Sequence, residues 1–574
     1  MSDSLNVNIN TKGKEVNSYD AIVIGSGISG GWAAKELCEK GLKTLVLERG
    51  RNIEHIKDYP TANLSRWELP HRGEITQETR KNNPLISKAA GYSESTQHFF
   101  VKDADHPYVQ EKPFDWIRGY QVGGKSLTWG RACARWSPFD FTAPKRYGYG
   151  ESFPIGYDDI KDWYSHVEKF IGVCGNKEGI PSMPDGEFLT AYELNTVEKH
   201  LQKVIKAKFD RHYVSGRWAH ITDPQPIHFE QGRTQCLNRN ACMRGCPLGG
   251  YFSSVSSTLP WAKKTGNLTI RPHSVVHSII YDEQKQKAIG VRVIDANTKQ
   301  ATDFFARIIF VNASSLNSNL ILLNSVSNRF PNGLGNDSGK LGKHICFHNY
   351  RGSMWGYVEG FEDKYYKVSK PAECIVANFR NVQKRDTDFF GGYVIYSGAS
   401  RELFNATIEP SIGAEYKAAM SEPGKWSVYM YMQGETIAKE TNHVRLSTDK
   451  KDQWGIPLLV TSVGYDDNDD KMVKDFLEQG QTMLEAAGVT DININDNHQA
   501  PGLDIHEMGG VRMGSDPKTS MLNEFNQLHH CKNVFVTDGA CMTSTGSQSP
   551  SILYMAFTAR AVAHAVDEMK KGNL

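Results

Sequence analysis

Two short segments and one cysteine cluster hold the residues of this chain best suited to chemistry. Ile24-Gly25-Ser26-Gly27-Ile28-Ser29-Gly30 spaces three glycines so that the backbone can turn tightly, approach a pyrophosphate and pack a helix onto a sheet. Ile505-His506-Glu507-Met508-Gly509-Gly510-Val511-Arg512-Met513-Gly514 sets a histidine beside a glycine pair, as the wall of a catalytic site would. Cys236, Cys242 and Cys246 bring three thiols into 11 residues of a loop that also carries Gly245 and Pro247. Thiolates bind soft metals: three can hold a [3Fe–4S] cluster or, with a distant fourth ligand such as histidine, a zinc ion. They can also be plain buried thiols.

The elements that must position these residues follow from hydrophobic pattern. Residues 19–25 read as an apolar strand, 25–30 as a tight turn, 32–40 as a helix and 42–47 as the next parallel strand, the order that a nucleotide-binding fold requires. Glu48 follows Gly30 by 18 residues, which puts a carboxylate near the end of that second strand, able to accept hydrogen bonds from an adenosine ribose. These features predict a dinucleotide and do not by themselves separate FAD from NAD.

Read in order, residues 25–30, Glu48-Arg49-Gly50, Gly123-Gly124-Lys125-Ser126, residues 506–514 and residues 536–539 resemble the glucose-methanol-choline (GMC) oxidoreductase family, especially its branch of pyranose oxidase-like enzymes and bacterial glucoside 3-dehydrogenases. The resemblance spans nearly the whole chain. It implies an α/β fold: a Rossmann-like FAD-binding domain with a discontinuous mixed-sheet substrate-binding domain. The FAD-binding domain would take residues 17–170, 236–345 and 495–574, and the substrate-binding regions 171–235 and 346–494, with the 236–247 cysteine loop near the boundary.

The resemblance also implies roles. Gly123, Gly124 and Ser126 would lie against the FAD pyrophosphate or the flavin, and Asp538 and Gly539 would approach the cofactor at the start of the closing helix. Some sugar oxidases attach FAD through a histidine in a Ser-Thr-His-Trp segment. This chain reads Ser126-Leu127-Thr128-Trp129, and Thr128 cannot make that bond, so the FAD is expected to be noncovalent.

An alcohol that gives up hydride must also give up its hydroxyl proton, and a histidine near neutral pKa can take it. A lone histidine is more often structural, but the resemblance makes His506 the catalytic base. Ser549 stands where the sugar enzymes commonly carry Asn. Having a shorter reach and one hydroxyl, it would orient substrate through water, leave that task to Gln548, or mark a chain of weakened activity. Arg512 suits a packing and ion-pair role as well as a contact to substrate or flavin. The cysteine spacing also resembles that of cluster-containing sugar dehydrogenases, which places Cys236, Cys242 and Cys246 as ligands of a [3Fe–4S] cluster.

Elsewhere, residues 52–121 are irregular and rich in aromatics and prolines, suiting excursions that cover a ligand. Helices are predicted over 160–171, 192–209, 471–487 and 550–569, a β-rich segment with a turn at Asp282-Glu283 over 269–294, and a returning strand over 308–313. Residues 348–463, rich in Tyr, Phe and Trp, read as a sheet that walls a substrate chamber.

At 574 residues the chain is too long for one growing core, so two packed domains are expected. Sixty-six basic against 65 acidic residues give a net charge of +1, which provides no field for nucleic acid or an anionic membrane. No apolar run reaches the roughly 18 residues of a membrane span. The first 18 residues carry no export signal, so the expected location is cytoplasmic, or periplasmic by co-export with a signal-carrying small subunit. The resemblance implies an FAD-dependent dehydrogenase that oxidises a secondary hydroxyl of a pyranoside, at C3 of a glucoside, and passes electrons to an external acceptor such as cytochrome c or a haem subunit. An oxygen-using sugar oxidase or other alcohol dehydrogenase is the alternative enzyme. A non-catalytic flavin- or sugar-binding protein is the alternative of another class.

Overall fold

The computed structural model describes residues 17–364, 370–402 and 412–574. Residues 21–24 are apolar at consecutive positions, as a strand covered on both faces must be, and all four are buried. They lie in β1 (Ser18–Ile24), followed by α1 (Ile28–Glu39) and β2 (Thr44–Leu47). With β3 (Leu268–Arg271), β4 (Ala301–Val311) and β5 (Cys531–Val536) these strands run parallel in the order β5-β4-β1-β2-β3. A hairpin, Ser274–Asp282 with Lys287–Asp295, occupies the β-rich segment predicted at 269–294 and pairs antiparallel with β4. The closing helix α2 (Ser551–Lys570) packs on α1, so that both ends of the chain cover one face of this sheet.

A second sheet of seven strands contains Tyr213–Ser215, Gly352–Val358, Cys374–Val376, Tyr393–Arg401, Trp426–Glu435 and Val489–Asp496, paired antiparallel. Its strands alternate in what they face, because successive side chains leave a strand on opposite sides. Val428, Met430 and Met432 enter a core with Leu201 and Ile205 of helix Thr196–Phe209 and with Met472 and Phe476 of helix Asp467–Ala486. Tyr429 and Tyr431, between them, line a cavity instead.

Two predicted helices begin elsewhere than expected, each for a capping reason. Thr196–Phe209 starts four residues later than position 192, because the Asn195 side chain accepts from Glu198 N while the Glu198 carboxylate accepts from Asn195 N. Asp467–Ala486 starts four residues earlier than position 471: Asp466 caps it, and its acidic first turn carries no apolar periodicity to read. A third, five-stranded sheet joins Val109–Gln110, Lys343–Cys346 and Met508–Gly510 to His443–Lys451 and Pro457–Ser462. The regions expected to divide between two domains therefore share a sheet. Among the described residues no helix is long and apolar enough to cross a membrane.

Candidate active site

A cavity of about 670 Å³ opens at the carboxyl ends of the parallel strands. Residues just after β1, β2, β4 and β5 line it, at the position where open α/β sheets receive ligands. The three glycines of the first turn divide their work. Gly25 has φ +96°, and a Cβ there would stand 2.3 Å from Asn312 O; one on Gly30 would stand 2.0 Å from Gly25 O. A Cβ on Gly27 would meet nothing within 4 Å, so that its backbone alone faces the open cavity. Gly124, with φ +50°, brings the second glycine turn against Gly27.

The Glu48 carboxylate accepts from Ser26 N at 3.2 Å, Ser26 Oγ at 2.5 Å and Gly50 N at 3.0 Å, and burial raises its pKa. Gly123 N donates to Ser26 Oγ at 3.0 Å, while Ser126 Oγ donates to Gly123 O and receives Ser254 N. Asp538 accepts from Ala540 N and Ser318 Oγ, and burial lifts its carboxyl to about 6. Gly539 is required by crowding, since a Cβ there would lie 2.4 Å from Glu507 O.

Of the predicted cofactor residues, Gly25, Gly27, Glu48, Gly124, Ser126, Asp538 and Gly539 line the cavity. Gly30 and Gly123 stand behind it, where they let the two turns close; a Cβ on Gly123 would press on Val255 at 2.7 Å. Six buried polar atoms of lining residues lack partners among the described residues: Arg49 Nε, Arg118 Nη2, Arg131 Nε, Asn312 Oδ1, Asp504 Oδ1 and Glu507 Oε1. An open glycine turn, a carboxylate at the second strand end and unpaired polar atoms fit an FAD.

His506 lines the cavity, and a second histidine determines what it can do there. His348 Nε2 lies 3.0 Å from Gly546 O, and the two Nδ1 atoms of His348 and His506 are 2.9 Å apart. A carbonyl only accepts, so His348 Nε2 carries its hydrogen. Burial holds His348 at about 4, so the ring is neutral and its Nδ1 is an acceptor. His506 Nδ1 must then donate, which leaves the His506 Nε2 lone pair bare; no hydrogen bond among the described residues engages that atom. Burial first, and then the neighbouring His348 and Lys125 side chains, hold the His506 pKa well below its ordinary value. Asp504 fixes both backbones, its Oδ2 accepting His348 N at 2.8 Å and His506 N at 3.2 Å. His348 was not singled out in the sequence; it opens the aromatic-rich region, a long way from any recognised motif.

Ser549 also lines the cavity, tied into a network: its hydroxyl donates to Gln433 Oε1 at 3.1 Å and lies 3.0 Å from Tyr396 OH. Tyr350 donates to the same Gln433 oxygen, and its ring stands 6.2 Å from that of His506. Gln548 is buried beside Ser182 O and is not among the lining residues. Arg512 donates twice to Thr519 O, a structural use. Glu373, Tyr350, Tyr396, Tyr429 and Tyr431 complete this end of the chamber. The alternating pattern Val428-Tyr429-Met430-Tyr431-Met432-Gln433 was the legible signal for three residues of this end.

All three cysteines of the 236–246 loop are free thiols and partly exposed. Asn240 and Met243 of the same loop line the cavity. Among the described residues, the group of His, Cys, Asp and Glu whose ligand atoms all lie within 4.8 Å is His348, Asp504 and His506, not the cysteines. A cuboidal cluster stands between its thiolates and holds them farther apart than one ion does. Burial raises the Cys242 thiol, opposed by the charge of Arg131.

The profile described as GMC oxidoreductase matches residues 225–349 and 438–558. The fructose dehydrogenase large subunit of Gluconobacter japonicus is 24% identical over 97% of this chain and 99% of its own. The 2-methyl-1,2-propanediol dehydrogenase of Mycolicibacterium austroafricanum is 25% identical over 94% of both chains. In fold, the chain is similar to a pyridoxine 4-oxidase from Mesorbium loti, with a TM-score of 0.59 at 15% identity over 96% of this chain and 99% of that one.

Proposed function

Since this chain is an FAD-dependent oxidoreductase of the GMC superfamily that acts on CH–OH groups, we propose that its substrate is a carbohydrate, oxidised at a secondary hydroxyl of a pyranoside, C3 of a glucoside, to a ketosugar. The observation that carries the chemistry is the His348–His506 pair. It presents one unprotonated nitrogen to the cavity, and that nitrogen takes the hydroxyl proton of the alcohol. Bound FAD supplies the hydride acceptor. Glu48, Asp538 and the glycine turns would hold it. Ser549 and Tyr396, the former positioned by Gln433, hold polar atoms against the substrate, and the tyrosine side chains offer it apolar surface. Supporting the carbohydrate class are this chamber and the name of one similar protein, a fructose dehydrogenase subunit.

Cys236, Cys242 and Cys246 would hold a [3Fe–4S] cluster, whose one-electron chemistry suits an external acceptor such as cytochrome c or a haem subunit. A small subunit with an export signal would bring such a complex to the periplasm. The deciding experiment is an anaerobic stopped-flow panel of glucosides, free sugars and simple alcohols, followed by location of the new carbonyl. A glucoside that reduces the flavin rapidly and gains a carbonyl at C3, with faster reoxidation by cytochrome c or a dye than by oxygen, is expected. Reduction by nonsugar alcohols alone would overturn the carbohydrate reading.

A further inference from the structure

Within the chamber, Glu373 sits at the hydroxyl ends of two tyrosines. Its Oε1 accepts from Tyr429 OH and its Oε2 from Tyr431 OH, both at 2.8 Å. Its backbone carbonyl accepts from Gly216 N at 3.0 Å and Trp218 Nε1 at 3.2 Å, so the residue is held from both ends. No ion pair among the described residues reaches this carboxylate. Lys370, three residues away, is bound to Glu198 at 2.5 Å. Burial raises the Glu373 carboxyl above its ordinary pKa, opposed by the Tyr431 and Tyr429 hydrogen bonds and by the charge of Arg131, whose guanidinium itself lies by Met243 Sδ and the Tyr251 ring.

A carboxylate has two lone pairs on each oxygen. Each tyrosine uses one, which leaves one acceptor site on each oxygen, side by side. Glu373 is partly open, where it lines the cavity. Tyr431 stacks between Tyr396, 5.3 Å away at 18°, and Tyr429, 6.3 Å away at 9°, and the carboxylate caps the hydroxyl ends of two rings of this stack. Two neighbouring acceptors beside the edge of a tyrosine stack match two neighbouring O–H donors on a ring.

We propose that Glu373 is the residue by which the enzyme selects polyhydroxylated substrates: its two oxygens receive a vicinal pair of hydroxyls, adjacent to the carbon being oxidised or further round the same ring, while the tyrosine row receives the C–H face. This rests on the carbohydrate reading above. It names the recognising group and the feature recognised. An ammonium group, the other natural partner of an unanswered carboxylate, would need one donor centre and no diol.

The test uses the FAD-loaded enzyme and its Glu373→Gln variant with a pyranoside, the matching deoxy analogues each lacking one hydroxyl, and an amino sugar. Glutamine keeps the size and one acceptor but loses the charge. For the pyranoside, the half-saturating concentration in anaerobic flavin reduction is expected to rise about 10–100-fold, the scale of hydrogen bonds to a charged group, with a much smaller change in limiting rate. For a deoxy analogue lacking one of the paired hydroxyls the penalty shrinks to roughly threefold, since the two losses remove the same contact. Tyr429→Phe, which leaves the carboxylate and frees one lone pair, provides a second variant if Glu373→Gln does not retain FAD.

An equal penalty for pyranoside and every deoxy analogue, or one confined to the amino sugar, overturns the proposal. If no sugar reduces the wild-type flavin, the oxidation reading fails by itself. Calorimetric binding of the pyranoside, weakened by Glu373→Gln, would still uphold the diol site, and binding indifferent to the variant would refute it.

Discussion

Two histidines with different hydrogen-bond partners perform different tasks. His506→Ala is expected to keep FAD and to slow flavin reduction by at least about 100-fold, the scale of losing a positioned acid–base group; single-turnover absorbance decides it. His348 acts through His506. His348→Leu removes the acceptor that fixes the His506 hydrogen on Nδ1, and the limiting rate should fall roughly tenfold, the value of one hydrogen bond in choosing a tautomer. In His348→Gln an amide oxygen can accept from the same Nδ1–H, and most of the rate should return. Equal slowing in both variants would mean that His348 only packs. The pH dependence follows with its sign: the base works neutral and its pKa is lowered, so activity is full above the ordinary histidine value of about 6.5 and is lost as pH falls through the lowered value. An acid limb above pH 6.5 would refute this.

Individual elements tolerate change according to which side of the cavity wall they present. Gly27→Ala adds a methyl into open space, so the chain should fold with a near-normal melting temperature yet bind FAD weakly, because that space belongs to the pyrophosphate. Gly30→Ala forces a methyl into the Gly25 carbonyl and should cost about 1–3 kcal/mol of stability or more, read by thermal unfolding. The strand Trp426–Glu435 gives the same contrast between neighbours. Met430→Ala, in the helix-covered core, should destabilise by about 2–5 kcal/mol. Tyr431→Phe, one residue on, removes only a hydroxyl bound to Glu373 and should act on substrate affinity more than on unfolding.

For the molecule as a whole, the cofactor is the ligand that joins parallel sheet, second sheet and covering loops around one cavity. Thr128 lines that cavity and offers no histidyl attachment. Acid precipitation should therefore release all flavin to the supernatant, and the FAD-free protein should melt at lower temperature in proportion to the logarithm of FAD affinity. Covalently retained flavin would contradict this. The cysteine loop makes its own prediction: anaerobic preparations should contain iron and sulfide, with a paramagnetic resonance signal lost in Cys242→Ser. Zinc without iron, or no metal, would remove the cluster and leave the flavin chemistry standing.

The glycine spacing at 25–30 and the carboxylate at Glu48 were legible from sequence alone, because a βαβ turn is local: the residues that contact one another lie within 30 positions of the chain. His506 and Ser549 could be located by resemblance, but not what each does. That His506 presents a bare Nε2 depends on His348, 158 residues earlier, and on the carbonyl of Gly546. Ser549 acquires its role from Gln433 and Tyr396, and Glu373 from two tyrosines more than 50 residues later. A hydrogen bond has a direction and a length of about 3 Å, and such constraints between remote segments are met only when the parallel sheet, the second sheet and the loops between them have closed around the cavity. Sequence determined which chemistry the chain carries; tertiary structure decided which atoms are free to perform it.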